Sequence, residues 1–374
     1  MTRPSVCFVG YHNLPILAPE YGHLGTGGEE VQHTLLAKSL AARGFDVSMV
    51  VFDHGQPEGA IWSGVRTHKA YRPNAGLPVL RFLHPRWTGL WAALARADAQ
   101  VYYVSTAGVH VGQAVLFARA RGRRVIFRVS HDANCSPRTL MIKYRRDRWL
   151  YEYGLRHVDL VLAQTEHQRR MLLENYGVTS TLAQMPVEPA RRIGAFQERD
   201  IPVLWVNNLR RFKRPDLYVD LAARLPSLPM HMIGGPVPGF EDYHRQMVAR
   251  IRTAPNLHYH GPVPYHAVND FFERTRVFVN TSDTEGYPNS YLQAWARGTP
   301  VVAFFDPDGV IAREGLGVAA QTPDELARAV ATLSGDPQAW AQCSARCTAY
   351  MQREFDPDRV LAPYADAIAS LSAR

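Results

Sequence analysis

Short apolar runs alternate with segments whose apolar residues recur every three to four positions, almost from one end of the chain to the other. Val6–Val9, Val47–Phe52, Val101–Val104, Val125–Val129, Leu160–Ala163 and Thr181–Gln184 read as strands. Between the first two, Val31, Leu35, Leu36 and Leu40 share one face of a helix that starts near Gly28 and stops at Arg43-Gly44. The rhythm restarts with strands at Val203–Val206, Met230–Gly234, Leu257–His260, Val277–Asn280 and Val301–Phe304. Helices are expected near 241–252, 265–274 and 290–297, and Pro215 suits a first helical position, where its missing N–H costs nothing. Such alternation predicts an α/β fold with parallel sheets. Residues 188–200 are polar and without apolar period, so they read as a linker between domains 1–187 and 201–355. In the tail 356–374, Val360, Tyr364, Ala367, Ile368 and Leu371 fall at helical spacing, a last helix packed elsewhere.

At 374 residues, 46% hydrophobic and 20% charged, the chain can bury two cores and is neither disordered nor collagen-like. No run approaches the roughly 18 apolar residues of a membrane span. Val6–Val9 is too brief for a secretory signal. Four cysteines make no disulfide framework, and Cys343 and Cys347 have no companion ligands for zinc, so the expected setting is a reducing cytoplasm. Charge changes the picture more. Residues 1–187 hold 22 Lys and Arg against 13 Asp and Glu, whereas residues 188–374 hold 20 against 21. The excess positive charge lies in the first half, as suits nucleic acid, an anionic membrane surface, a phosphorylated substrate or merely a solvated face.

Two loops carry candidate chemistry. Thr281 to Gln293 runs from a strand end into a helix, where open α/β sheets bind ligands. Asn289 and Ser290 read as helix caps, and the N–H groups there suit a diphosphate. Glu285 places a carboxylate at the strand tip. Asn207 to Asp216 follows the strand Val203–Val206 with Arg210, Arg211, Lys213 and Arg214, a second anion-competent loop at the same sheet edge.

These residues resemble the family 4 retaining glycosyltransferases, whose GT-B fold has two Rossmann-like domains with parallel sheets facing across a cleft. Glu285 and Gln293 keep the spacing of that family's paired glutamates, and Gly298-Thr299-Pro300-Val301-Val302 follows as in its Gly-x-Pro-Val-Val motif. The basic loop, Gly234-Gly235 and His260-Gly261-Pro262-Val263 match other landmarks. The first half agrees through Gly27-Gly28-Glu29, Arg43-Gly44-Phe45-Asp46-Val47 and His131-Asp132. The resemblance implies that Lys213 neutralises a nucleotide-sugar diphosphate and that Glu285 bonds sugar hydroxyls. Backbone amides of Gly286, Tyr287, Pro288, Asn289 and Ser290 would surround the sugar and phosphates (proline contributing no N–H). Gln293 would hold the ribose, and Gly261 to Val263 would lie against the base. Gly27 and Gly28 would let backbone approach the diphosphate, and His131 would sit near the sugar on the acceptor side. It also implies that the tail helix returns to the first domain.

Two departures accompany the match. Gln293 replaces a glutamate and accepts a ribose hydroxyl without charge. Asn208 stands where the family has arginine, which leaves Arg210 or Arg211, with Arg210 placed first, to supply the second positive charge. The implied reaction moves a sugar, with retention and without metal or cofactor, to a glycan or lipid-linked acceptor in surface polysaccharide or glycolipid synthesis. The expected enzyme is either soluble in the cytoplasm or peripheral at the inner membrane face, where the basic first domain would meet an anionic surface. The alternatives are a nucleotide-sugar epimerase on the same scaffold and a non-catalytic nucleotide-sugar binding protein. Nucleic acid fits worst, because the anion loops lie in the half without excess positive charge. Lys143 to Tyr151 and Leu80 to Leu94 mix cations with apolar residues and would suit a membrane surface, but ordinary core packing is the expectation for both. His12, His54 and His110 are read as structural.

Overall fold

The computed structural model describes residues 3–24 and 27–373. The chain divides into two compact units, residues 1–186 with 357–374 and residues 187–356. In the first, β1 (Ser5–Val9), β2 (Asp46–Val51), β3 (Ile61–Trp62), β4 (Val65–Lys69), β5 (Val101–Ser105), β6 (Arg124–Arg128), β7 (Leu160–Ala163) and β8 (Thr181–Leu182) form one sheet. The order is β3-β4-β2-β1-β5-β6-β7-β8, parallel throughout except for β3 on β4. A parallel sheet is covered on both faces, so its central strands are apolar nearly throughout rather than alternating; all five residues of β5 are buried. Cys7, Tyr102, Val104 and Phe127 meet Leu90, Val111, Tyr151 and Leu155 on one face. Val6, Phe8, Tyr103 and Ile126 meet Leu36, Leu40 and the terminal helix Pro357–Ser372 on the other, through Leu361, Tyr364, Ile368 and Leu371.

The second unit holds β9 (Ile201–Val206), β10 (Met230–Ile233), β11 (Leu257–Tyr259), β12 (Thr275–Asn280), β13 (Val301–Ala303) and β14 (Gly317–Ala319). All are parallel, in the order β11-β10-β9-β12-β13-β14. The order reverses between β9 and β12, so the loops after these neighbours leave the same sheet edge on either side of the switch point.

Three readings need correction. Residues 188–200 are not a free linker but belong to the second unit. Arg199, 1% exposed, donates to the carbonyls of Gly194, Thr275 and Arg297 and to Thr299 Oγ1. Polar bonds to one buried guanidinium hold this stretch, and they leave no apolar period. The segment Leu80 to Leu94 also divides: the helix Thr88–Ala97 buries Leu90, Ala93 and Leu94, while Leu80 and Leu83 remain exposed. In the helix Arg145–His157, Leu150 and Tyr151 face the core, but Trp149 does not. This helix crosses Val109–Ala120 closely. A Cβ on Gly112 would stand 2.3 Å from the Leu150 carbonyl oxygen, so only glycine permits the approach.

Candidate active site

Four loops gather at the carboxyl edge of the second sheet, after β9, β10, β11 and β12. The loop after β12 is shaped by its own polar side chains. Asn280 accepts from the Ser282 N–H at 2.7 Å, and Ser282 Oγ donates to Glu285 Oε1 at 2.7 Å. Asn280 Nδ2 adds a longer bond to the same oxygen, 3.4 Å. Glu285 is thereby fixed, 7% exposed, at the strand tip.

The loop after β9 is bonded to this one. Thr281 Oγ1 accepts from Trp205 Nε1 at 3.0 Å and faces the carbonyls of Lys213 and Arg214. The Asp283 N–H donates to the Phe212 carbonyl at 2.9 Å. Lys213 Nζ then lies 2.6 Å from each carboxylate oxygen of Glu285. With both side chains largely buried, at 14% and 9% exposure, the pair is worth far more intact than broken. An ammonium has three donors, so the carboxylate's two oxygens do not exhaust it. Asn280 and Ser282, the two residues that orient Glu285, were not singled out from the sequence; a polar pair directly after an apolar strand was the available signal.

The helix Asn289–Ala296 begins here. Pro288, not Asn289 or Ser290, is its N-cap, and it makes no side-chain capping bond. Asn289 and Ser290 are therefore the first two helical residues, a correction to their reading as caps. Proline in this place has φ −65°, suited to entering a helix; its carbonyl accepts from the Tyr291 N–H at 3.1 Å, and it has no side-chain acceptor for the other N–H groups of the first turn. Tyr287 turns into the core, its hydroxyl 2.9 Å from that of Tyr350, so Gly286 and Tyr287 contribute backbone. Gln293 Nε2 donates to Asn269 Oδ1 at 3.0 Å, and Asn269 Nδ2 donates to Glu188 Oε2 at 2.8 Å. That relay engages the amide nitrogen of Gln293.

The basic loop sorts its cations. Arg214 is drawn to Asp216 and Asp283, at 2.9 and 3.2 Å, and these carboxylates hold its guanidinium above its ordinary pKa. Arg211 is exposed and stacks over Tyr243 at 4.8 Å. Arg210 is half-buried, with a buried Nε that has no hydrogen-bond partner. Asn208 is held locally, its N–H on Asn207 Oδ1 at 3.1 Å and its carbonyl accepting from Arg210 N–H. Gly261 takes φ +68°, and its carbonyl accepts from the Gly234 N–H at 3.0 Å. A Cβ on Gly235 would stand 3.0 Å from Pro262 Cβ, so the turn through Gly261, Pro262 and Val263 lies against the Gly-Gly backbone.

In the first unit, Gly27 is the N-cap of the helix Gly28–Ala42, in extended conformation, with Glu29 and Glu30 in the first turn. His131 follows β6 and caps the turn Asp132–Cys135; its Nδ1 accepts from the Ala133 N–H at 3.0 Å. A neutral imidazole there carries its proton on Nε2. Asp132 accepts from Gln168 Nε2 at 3.0 Å. Arg128, fully buried at the end of β6, donates to Gln32 Oε1 at 2.7 Å and so ties this edge to the helix Gly28–Ala42. Burial, with Arg128 and His110 behind it, pushes His33 down to about 3. His110 is half-buried, desolvation lowers its pKa as well, and its ring bonds the Ser105 carbonyl, in keeping with a structural part.

The structure thus brings Lys213 and Glu285 into direct contact, in the loop that leads into the helix Asn289–Ala296; within the first unit, Gly27 and Gly28 open the helix Gly28–Ala42 and His131 follows β6. Among the described residues, no helix is long and apolar enough to cross a membrane.

Solved structures share the architecture. Sucrose-phosphate synthase from Thermosynechococcus elongatus covers 99% of this chain and all of its own, with a TM-score of 0.76 at 16% identity. Anabaena HepE, solved in complex with UDP and glucose, covers 98% of this chain and all of its own, with a TM-score of 0.74 at 15% identity. The fold is accordingly GT-B, two α/β domains with parallel sheets, a scaffold of glycosyltransferases. The model of the glycosyl transferases group 1 matches residues 202–336, and that of the glycosyl transferase 4-like domain matches residues 27–188. The chain belongs to the family 4-like glycosyltransferases. A D-inositol 3-phosphate glycosyltransferase from Kribbella flavida is 28% identical over 211 residues, 48% of this chain and 49% of that protein. One from Streptomyces bingchenggensis is 24% identical over 243 residues, 56% of this chain and 52% of that protein. The chain spans about half the length of the curated relatives it matches.

Proposed function

We propose that the protein transfers a hexosyl group from a nucleoside-diphosphate sugar to a glycan or lipid-linked acceptor, with retention at the anomeric carbon. The observation that carries this reading is the Lys213–Glu285 contact beside a helix N-terminus. In this reading the ammonium meets the leaving diphosphate and the carboxylate, one hydrogen bond away, meets the sugar hydroxyls. In the reaction the anomeric C–O bond breaks and its electron pair leaves with the diphosphate. Lys213, Arg210 and the positive end of the helix Asn289–Ala296 take up that charge electrostatically. The acceptor oxygen bonds the same face of the anomeric carbon, so its proton passes to the departing phosphate oxygen alongside it. His131 lies on the acceptor side. Gln293 offers its amide oxygen to a ribose hydroxyl, and the turn Gly261 to Val263 supports the base. No metal enters, since side chains and backbone meet the diphosphate charge. The donor class draws support from HepE, whose complex holds UDP and glucose, and the acceptor class from the cationic first half.

The test is a thermal-shift screen of nucleotides and nucleotide sugars, followed by transfer assays with the donor that stabilises most. Transfer should persist in EDTA and fall about 100- to 1,000-fold in Lys213→Ala and Glu285→Ala. Turnover unaffected by either change overturns the reading. A donor-only product identifies an epimerase instead, and donor binding without transfer to any acceptor identifies a binding protein.

A further inference from the structure

The first unit carries a surface that the transfer site does not use. Leu77, Val79, Leu80 and Leu83 are between 57% and 92% exposed, a run of aliphatic tips that covers nothing. Val79 is the most exposed and is held at φ +70°, a conformation a β-branched residue rarely adopts. A second segment supplies Met141, Tyr144 and Trp149, each more than half exposed. The two segments are one surface, because the Arg146 guanidinium lies 3.3 Å from the centre of the Phe82 ring. The Gly112–Gly154 approach fixes the helix that carries Arg146 and Trp149.

Charge decides what fits. No carboxylate occurs between residues 72 and 87, and Asp147 is the one acid between 137 and 149. Asp147 is already paired with Arg146. Among the described residues, Arg81, Arg138, Lys143 and Arg145 make no ion pair, and all four are exposed. A second copy of this surface would be repelled by it. A nucleic acid would match the cations and rings but leave the aliphatic tips in water. An anionic bilayer satisfies all three: aliphatic tips enter the acyl boundary, cations meet headgroups, and tryptophan and tyrosine sit at the interface.

We propose that residues 77–87 and 138–149 dock the protein on an anionic lipid surface. The docking goes beyond the transfer reaction and is read without donor or acceptor, so its failure would leave that reading where it stands.

The full chain should sediment with vesicles of phosphatidylglycerol and phosphatidylcholine and not with phosphatidylcholine alone. Raised salt should weaken the binding. Leu80→Glu with Leu83→Glu, and separately Lys143→Glu with Arg145→Glu, should each weaken it at least about tenfold. These positions are exposed, so circular dichroism and melting should stay unchanged. As a second readout, the tryptophan blue shift on adding anionic vesicles should shrink in Trp149→Phe. The proposal is overturned if anionic vesicles do not bind, or if binding ignores both double variants. It is equally overturned if the leucine variant instead abolishes a dimer, or if an oligonucleotide binds through the cations with no contribution from Leu80 and Leu83.

Discussion

Arg210 and Arg211 are neighbours in sequence with opposite surroundings. Arg211 rests on Tyr243 in solvent, whereas Arg210 has a buried nitrogen without a partner. A buried donor left unpaired costs about 1–3 kcal/mol, a penalty that an anionic ligand would relieve. Arg210→Ala should therefore raise the Kd for a nucleoside diphosphate about tenfold or more, and Arg211→Ala should leave it within error. Titration calorimetry separates the two, and an equal loss in both variants would remove Arg210 from the site. His33 supports a prediction about acid. Its folded pKa of about 3 lies below the ordinary 6.5, so between those values the unfolded chain binds a proton that the folded chain refuses. Stability is present above pH 6.5 and declines as pH falls toward 3, by ~1.4 kcal/mol per unit for this group. Urea midpoints followed from pH 7 to 4.5 should drop, and less steeply in His33→Gln. An unchanged slope in that variant would assign the acid sensitivity to other groups.

Among elements, those with apolar strands were readable because burial on both sheet faces leaves few alternatives: β5 and β12 lie within a residue or two of where the pattern puts them. β4, Val65-Arg66-Thr67-His68-Lys69, carries no apolar run, and two-residue β3 caps it at the sheet edge; neither had a signal to read. The candidate site was legible where chemistry sits at strand ends, as in Lys213 and Glu285. The supports of Glu285 were not, since Asn280 and Ser282 act through one carboxylate that only folding brings to them. Residues 188–200 failed as a linker for the same reason. Arg199 bonds three carbonyls and a hydroxyl contributed by separate segments, which no periodicity reports. Burial pushes its guanidinium down to about 10, still charged at neutral pH. Arg199→Met would retain much of the apolar stem and strip several carbonyls of their donor. We expect a loss of about 3–5 kcal/mol in urea unfolding of the second unit. A loss under 1 kcal/mol would show that water replaces the guanidinium.

At the scale of the whole molecule, the chain passes from the first unit to the second and then returns, because Pro357–Ser372 completes the first unit's core rather than extending the second. Tyr364 is the centre of that closure. It is fully buried, packs with Tyr103 and sets its hydroxyl 3.0 Å from Met185 Sδ, near the end of the first pass. Truncating it to alanine removes a large aromatic from this buried cluster, a loss of about 3–5 kcal/mol. The side chains proposed to bind the donor, Lys213, Arg210, Glu285 and Gln293, lie in the other unit, so the effects should separate. In Tyr364→Ala, hydrogen exchange should accelerate across β1, β5 and β6 while β9 and β12 keep their protection. A nucleoside diphosphate should still bind with its original Kd. If donor affinity fell together with first-unit protection, the second unit would not be holding the nucleotide by itself, and the donor site would have to include residues of the first.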